Sequence, residues 1–365
     1  MKNTYGNSIS LTLFGESHGE YIGAVLDGVA PGIKVDLDLA CAMLSLRRPR
    51  GKISTARVET DEFKIASGVF NGYTTGTPIA ILIPNTNKKS SDYEKISKIP
   101  RPGHADYTAT CKYHGFEDGR GGGHFSGRIT AALVAAGAIL YSALKDKGIY
   151  IGTHISSLHG VNDRVFSDYE ADIEALSTKY FPVLDENAGE KMNAEIESAA
   201  ANGDSVGGIL ESAVIGLPAG VGEPWFDSLE GLLSHALFSI GGVKGVEFGL
   251  GFGFAEKYGS EVNDKIRTDG AKVYTETNFN GGINGGITNG MPVIFRTAIK
   301  PTPSIFREQG SVDLTKMENV TLKIEGRHDP AIIHRARVVV DAVTALVVAD
   351  ALTMRFGTDY LSNCK

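Results

Sequence analysis

The chain of 365 residues is short of cysteine: Cys41, Cys111 and Cys364 are odd in number, far apart and without CxxC spacing. This excludes a disulfide framework and a cysteine-built zinc site and points to a reducing compartment. No pair of His or Cys residues has metal-ligand spacing, so no catalytic metal is expected. Positive charge is also short, with 36 Lys+Arg against 43 Asp+Glu and a net charge of −7. General nucleic-acid and membrane-surface proteins are normally basic. Neither partner is therefore expected, and any anion binding must come from local arginine clusters. The start MKNTYGNSIS lacks the charged and apolar regions of a signal peptide. The most apolar stretches, Ile129 to Leu144 and Val338 to Leu352, are too short, or broken by Asp341 and Asp350, for a span of about 20 apolar residues. They read as buried helices, and a cytoplasmic location is the expectation.

What the chain has in excess is glycine, 45 residues, clustered without period, which predicts tight turns and close backbone approaches. The 42 % apolar and 22 % charged content excludes a disordered chain. Ile9 to Phe14 and Gly23 to Val29 read as strands, which places Glu16-Ser17-His18 in their connection. "VDLDLACAMLSLRRPR" has helical spacing and delivers Arg47, Arg48 and Arg50 at its end, where Pro49 stops it. The segment from Arg57 to Asn85 reads as strands, and 85–125 as a long polar loop region of the functional kind. A strong helix opens at Arg128 and ends near Gly148. The acidic stretch 163–202 reads as a surface excursion, 160–203 at its widest. Strands then alternate with a helix near Phe226 to Phe238, and a long buried helix closes the chain. With no Pro- or Ser-rich linker, residues 1–365 are expected to form one α+β domain.

Three loops pair a histidine with a carboxylate or arginine: Glu16-Ser17-His18, Arg101 to Asp106 around His104, and Arg327-His328-Asp329. Histidine titrates near neutrality, so each is a candidate acid or base; singly, each also suits a turn-capping role. Arg47, Arg48, Arg50, Arg57, Arg101, Arg120, Arg128 and Arg327 fall in loops or at element ends, as a substrate with several anionic groups requires. "GRGGGHFSGR" offers successive backbone N–H groups before a helix, a generic anion cradle, without the GK[ST] of a P-loop. "NGGINGGITNG" allows a flat ring to approach the backbone, or is a plain glycine turn.

Taken together and in order, "FGESHG", "DGVAPG", "RRPR", "GVFNGYTTGTPIA", "RPGHADYT", "DGRGGGHFSGRITAALVAAGAI", "GLPAGVGEP", "ALFSIGGVKGVEFG", "GGINGGITNG", "IKPTPS" and "GRHDP" resemble the chorismate synthases over nearly the whole chain. The resemblance implies a β-α-β sandwich, with central helices packed between antiparallel sheets, and a homotetramer. It implies a lyase of the shikimate pathway that converts 5-enolpyruvylshikimate 3-phosphate to chorismate and needs reduced FMN. By position, substrate-binding residues fall on Ser17, Arg47, Arg48, Ser126, Arg128 and Arg327. His18 falls on the general acid for the departing phosphate, His104 on the histidine that serves the reduced flavin, and Asp329 on the carboxylate that helps take the ring hydrogen. FMN contacts fall on His124, Phe125, Ser126, Gly241, Gly242, Gly285, Lys300, Pro301, Thr302, Pro303, Ser304 and Arg327. The chain departs from the pattern at His124, Phe125 and Leu46, where many members carry Arg, Ser and Arg. Some members also reduce FMN with NADPH, so NADP joins the cofactors implied, with an external flavin reductase as the other source. Two further readings stay open from residues alone, a flavin reductase and a non-catalytic anion- or nucleic-acid-binding oligomer.

Overall fold

The computed structural model describes residues 2–51, 53–54, 60–86, 98–324 and 328–362. Two five-stranded antiparallel sheets organise it. In the first the strand order is Thr4–Tyr5, Ser10–Gly15, Tyr21–Asp27, Ile79–Pro84, Lys64–Ser67. Side chains alternate across a strand, and here Ile22, Ala24 and Leu26 face inward opposite Ile83, Ile81 and Ile79. The connection between Ser10–Gly15 and Tyr21–Asp27 is the turn that carries Ser17 and His18. The second sheet has the order Val243–Phe248, Val293–Ile299, Gly208–Ile215, Tyr150–Leu158, Val161–Asn162.

Two long, largely buried helices pack against these sheets. Thr130–Asp146 packs on the first sheet, Ile333–Phe356 on the second, and the two pack on each other. Their backbones meet at Gly137, where an added Cβ would stand 2.6 Å from the Ala342 Cβ. The 127–146 segment is long and apolar enough to cross a membrane, but 78 % of its most apolar window is buried inside the fold. The two aspartates in the last helix are also internal. Asp341 accepts from Thr153 Oγ1 at 2.6 Å and from Arg337 at 3.1 Å, and Asp350 accepts the backbone N–H groups of Asn7, Ser8 and Ile9 at 2.7–2.9 Å. Burial raises both carboxyls above the usual range.

The 163–202 stretch forms the helices Tyr169–Leu176 and Glu186–Ala201. It docks on the second sheet: Gly152 is close against Ile173, whereas the next residue, Thr153, points to Asp341 of the central helix. The Tyr169–Leu176 helix thus covers the face away from the central helix, whereas Met192 and Ile196 of the Glu186–Ala201 helix are fully buried in the main core. Two expectations shift in detail. A helix, Asp106–Tyr113, interrupts the 85–125 region, and the helix expected from Arg128 begins at Thr130 after a 3-10 turn over Gly127–Ile129.

Candidate active site

The turn after the second strand sets out the first histidine. Ser17 N–H donates to Gly123 O at 3.1 Å, and Ser17 Oγ donates to Arg120 O at 3.0 Å. A hydroxyl has one proton, so the 3.1 Å contact between Ser17 Oγ and His18 Nδ1 is donated by the imidazole. The proton in that contact is thereby assigned to His18 Nδ1. Both residues are buried, His18 at 5 % exposure.

The glycine loop explains this packing. Gly121, Gly122 and Gly123 all have positive φ, 62°, 91° and 53°, which glycine adopts without steric cost. A Cβ on Gly121 would lie 2.2 Å from His18 Cε1 and 2.9 Å from Ser17 Oγ; one on Gly122 would lie 3.4 Å from His104 Cε1 and 3.6 Å from His104 Nε2. Two imidazoles more than eighty residues apart in sequence therefore sit on adjacent glycines of one loop.

His104 is oriented by its own loop. Asp106 accepts from His104 Nδ1 at 2.6 Å, from Arg101 Nε at 2.7 Å and from Arg101 N–H at 2.9 Å. Arg101 Nη2 also lies 3.0 Å from Nδ1. A carboxylate can only accept, so Nδ1 carries the proton towards Asp106, and Nε2 is the atom turned to Gly122. Burial opposes the charge on Asp106, but hydrogen bonds from Arg101 and His104 outweigh it and hold the carboxyl well below the usual range. A concavity of about 520 Å³ opens beside this pair, lined by Phe14, Glu16, His104, Asp106, His124 and Phe125 among others.

Three arginines gather around Asp61. Arg47, last in the helix Leu37–Arg47 capped by Asp36, and Arg128, in the 3-10 turn capped by Ser126 Oγ at 3.2 Å, both pair with Asp61, Arg47 at 2.7 Å. Arg48 Nε lies 3.9 Å from the same carboxylate. Arg128 Nε donates to Asn85 Oδ1 at 3.0 Å, and Asn85 Nδ2 donates to the carbonyls of Glu16 and Gly19, both at 3.0 Å. Asp61 and Asn85 are the residues that sequence reasoning missed. Asp61 sits in a segment that read as strand, yet has a φ of 51° and is buried; only its acidic neighbourhood to the arginine run hinted at it.

The remaining expected residues divide. Lys300 Nζ donates to Gly103 O, its N–H bonds to Gly242 O at 2.9 Å, and Pro303 touches Gly103, so the 300–304 and 241–242 loops join the His104 loop. Ser311 Oγ donates to Pro100 O at 2.5 Å and Leu314 N–H to Lys98 O at 2.9 Å, closing the junction. Burial, with Lys244 nearby, pulls the Lys300 ammonium below its usual range. Asp329 pairs with Arg335. Burial and the charge of Arg101 lower the His328 imidazole against the opposing pull of Asp329, which sets the 328–329 segment beside the same loop. Pro301 packs on the backbone at Gly207, Thr302 O accepts from Ser205 Oγ at 2.7 Å, and Ser304 is buried. His124 Nδ1 lies 2.9 Å from Gly15 O and so bridges the turn to the glycine loop, while Phe125 is exposed edge-on to Tyr113. Gly285 lies on the Ile283–Thr288 hairpin, whose next residue, Gly286, packs on Glu223 and Ser228. Arg327 and Arg57 lie outside the described residues. No group of three or more His, Cys, Asp or Glu suited to a metal occurs among the described residues.

The model of the chorismate synthase family matches residues 9–353. The chain belongs to the chorismate synthase family. It is 49 % identical over 351 residues to the chorismate synthase of Pyrococcus abyssi, covering 96 % of this chain and 97 % of that protein. It is 47 % identical over 350 residues to that of Thermococcus kodakarensis, at the same two coverages. A crystal structure of chorismate synthase superposes with a TM-score of 0.76 at 28 % identity, over 98 % of this chain and 95 % of the other. As a chorismate synthase family member the chain is a carbon–oxygen lyase, and the site just described lies in segments inside the matched range.

Proposed function

We propose that this family member converts 5-enolpyruvylshikimate 3-phosphate to chorismate by 1,4-anti elimination, with reduced FMN bound. The observation that carries this reading is the pair of imidazoles on Gly121 and Gly122, with Arg47, Arg48 and Arg128 gathered around Asp61. In the reaction the C–O bond to phosphate and a ring C–H bond break, a C=C bond forms, and phosphate leaves, with no net change of oxidation state. Phosphate leaves more readily when protonated, and His18, with Nδ1 fixed by Ser17, is the acid for that transfer. Arg47, Arg48 and Arg128, with Ser17 and Ser126, orient a substrate that carries one phosphate and two carboxylates. Asp329, paired with Arg335, would assist the bound flavin in taking the ring hydrogen.

The residues around His104 fit a flavin. Thr302 Oγ1 and His328 Nε2 are buried polar atoms that no described residue hydrogen-bonds, and a buried polar group is costly without a partner. Lys300, Pro301, Pro303, Ser304, Gly241, Gly242, His124, Phe125 and Ser126 would hold the group from the loops already joined, with Gly285 and Arg327 as further expected contacts. When bound, the flavin would supply the electron density needed as the C–O bond breaks. His104 presents Nε2 towards it, with Asp106 fixing the ring.

The sequence of packing, sheet to helix to helix to sheet, supports the sandwich reading of the fold. A homotetramer in the cytoplasm, using NADPH itself or an external flavin reductase, completes the proposal. Anaerobic incubation with the substrate and chemically reduced FMN should release phosphate and chorismate together; absence of product would overturn the reading. Oxidised FMN with NADPH, as a parallel arm, separates a self-reducing enzyme from one that needs an outside reductant.

A further inference from the structure

The excursion reaches the arginine run through Tyr180, which lies between its two helices. Arg48 N–H donates to Ser45 O at 3.3 Å as the helix Leu37–Arg47 ends, and Pro49 has no N–H to give. The next main-chain donor, Arg50 N–H, goes to the Tyr180 hydroxyl at 2.8 Å. That hydroxyl also stands 3.0 Å from Ser54 Oγ, and Ser54 Oγ stands 2.9 Å from His334 Nε2 at the start of the last helix. The Arg50 guanidinium lies 5.1 Å from the Tyr180 ring centroid, a cation–π contact, while its Nη2 donates to Ser45 O at 3.0 Å. The main chain on both sides of Tyr180 is itself held. Arg337 of the last helix donates to Leu176 O and Lys179 O, both at 2.8 Å, and Ile155 N–H of the second sheet donates to Pro182 O at 2.7 Å.

We infer that Tyr180 is a positioning residue for the anion site: from a fixed point on the second sheet its hydroxyl and ring set the backbone that follows Arg47 and Arg48, and through Ser54 tie it to the start of the last helix. The inference rests on the reading that these arginines face the substrate. Arg48 depends on it most, because its side chain is 36 % exposed and stands 3.9 Å from Asp61, so that its direction follows the backbone that carries it. A guanidinium grips a phosphate or carboxylate bidentately only in a set orientation. A contact that sets how the anion is held, and no more, changes affinity and leaves the chemical step as it was.

The test uses the full chain, with kcat and KM for phosphate elimination under reduced FMN and hydrogen exchange of the Arg50 amide as a readout that needs no turnover. Tyr180→Phe keeps the ring beside the Arg50 guanidinium and removes the hydroxyl. KM should rise about fivefold or more for the loss of one hydrogen bond, with kcat within about twofold of wild type, and the Arg50 amide should exchange about fivefold or more faster. Ser54→Ala, which cuts the link to His334, should raise KM in the same direction, and the double variant by less than the product of the two. Tyr169→Phe, in the same excursion but stacked on Phe166, should leave both readouts at wild type; an equal rise of KM there would make the effect one of general support and overturn the inference. A folded Tyr180→Phe protein with wild-type KM, or with wild-type exchange at Arg50, overturns it as well. If Tyr180→Phe does not fold, Ser54→Ala carries the test, and a wild-type KM in that variant overturns the inference. Wild-type protein that forms no chorismate sinks the functional reading alone and leaves Tyr180 to be judged on the exchange at Arg50.

Discussion

Replacing Gly121 by alanine tests the site with a single methyl group. At the φ of 62° an alanine backbone costs about 1–2 kcal/mol. The larger effect is on His18: the new Cβ would lie 2.2 Å from its Cε1, so the ring must withdraw by about 1 Å to regain ordinary contact. Ser17 Oγ, at 2.9 Å, is crowded in the same direction, so the Ser17–His18 hydrogen bond that fixes the tautomer is lost with the position. A displacement of about 1 Å at a reacting group is worth about 100-fold in rate. Gly119→Ala provides the control, since Gly119 lies in the same loop at a φ of −74° with nothing within 4 Å of an added Cβ. Anaerobic phosphate release with reduced FMN should drop about 100-fold in Gly121→Ala and stay near wild type in Gly119→Ala, with both variants showing a cooperative thermal melt. Wild-type turnover in Gly121→Ala, or an equal loss in Gly119→Ala, would refute the idea that the loop seats His18.

His18→Ala should lose most turnover while keeping the fold, checked by kinetics and circular dichroism; an unchanged rate removes it as the acid. Asp106→Asn frees the His104 ring and removes the partner of Arg101, so kcat should fall about tenfold or more and its pH profile should shift; an unshifted profile would mean that the carboxylate does not act through His104. His334, 1 % exposed and hydrogen-bonded to Ser54, is pushed down to about 3 by burial and by Arg335. Between that value and 6.5 the unfolded chain binds one proton more than the native one, so His334 contributes fully above pH 6.5 and its share is lost towards pH 3. His334→Val should flatten the denaturant-measured stability profile in that window by about 1.4 kcal/mol per pH unit, and an unaltered slope would contradict the buried neutral imidazole. Gly137→Ala forces the two central helices apart at Ala342 and should cost about 1–3 kcal/mol in denaturant titration; a neutral result would mean that the crossing is looser than it stands.

Much of the frame is written along the chain. The long apolar runs of the 130–146 and 333–356 helices require burial on most sides, because too little polar surface is left for water. The alternation Ile22, Ala24, Leu26 fixes which face of a strand turns inward, and Asp36 marks the start of the helix that delivers Arg47. The histidine loops and the arginine placement are equally legible, since residue type and neighbouring glycine or proline suffice to expose them.

What joins those pieces is decided by packing between distant segments. That His18 and His104 meet across Gly121 and Gly122 depends on the path of the 98–125 chain over the first sheet, which no local spacing encodes. His124 stands where many family members carry an arginine, and its neighbourhood shows why it is accommodated: Nδ1 bonds the Gly15 carbonyl and ties the loop to the turn. Asp61 reads as one acid among several in "ETDE", and only the fold buries its carboxylate between Arg47 and Arg128, where charges separated by fourteen and sixty-seven residues become nearest neighbours. The sequence by itself determined the elements and the chemistry they carry; the tertiary structure decided the pairings, because an ion pair or a close backbone contact between remote segments is a property of the distance that folding closes.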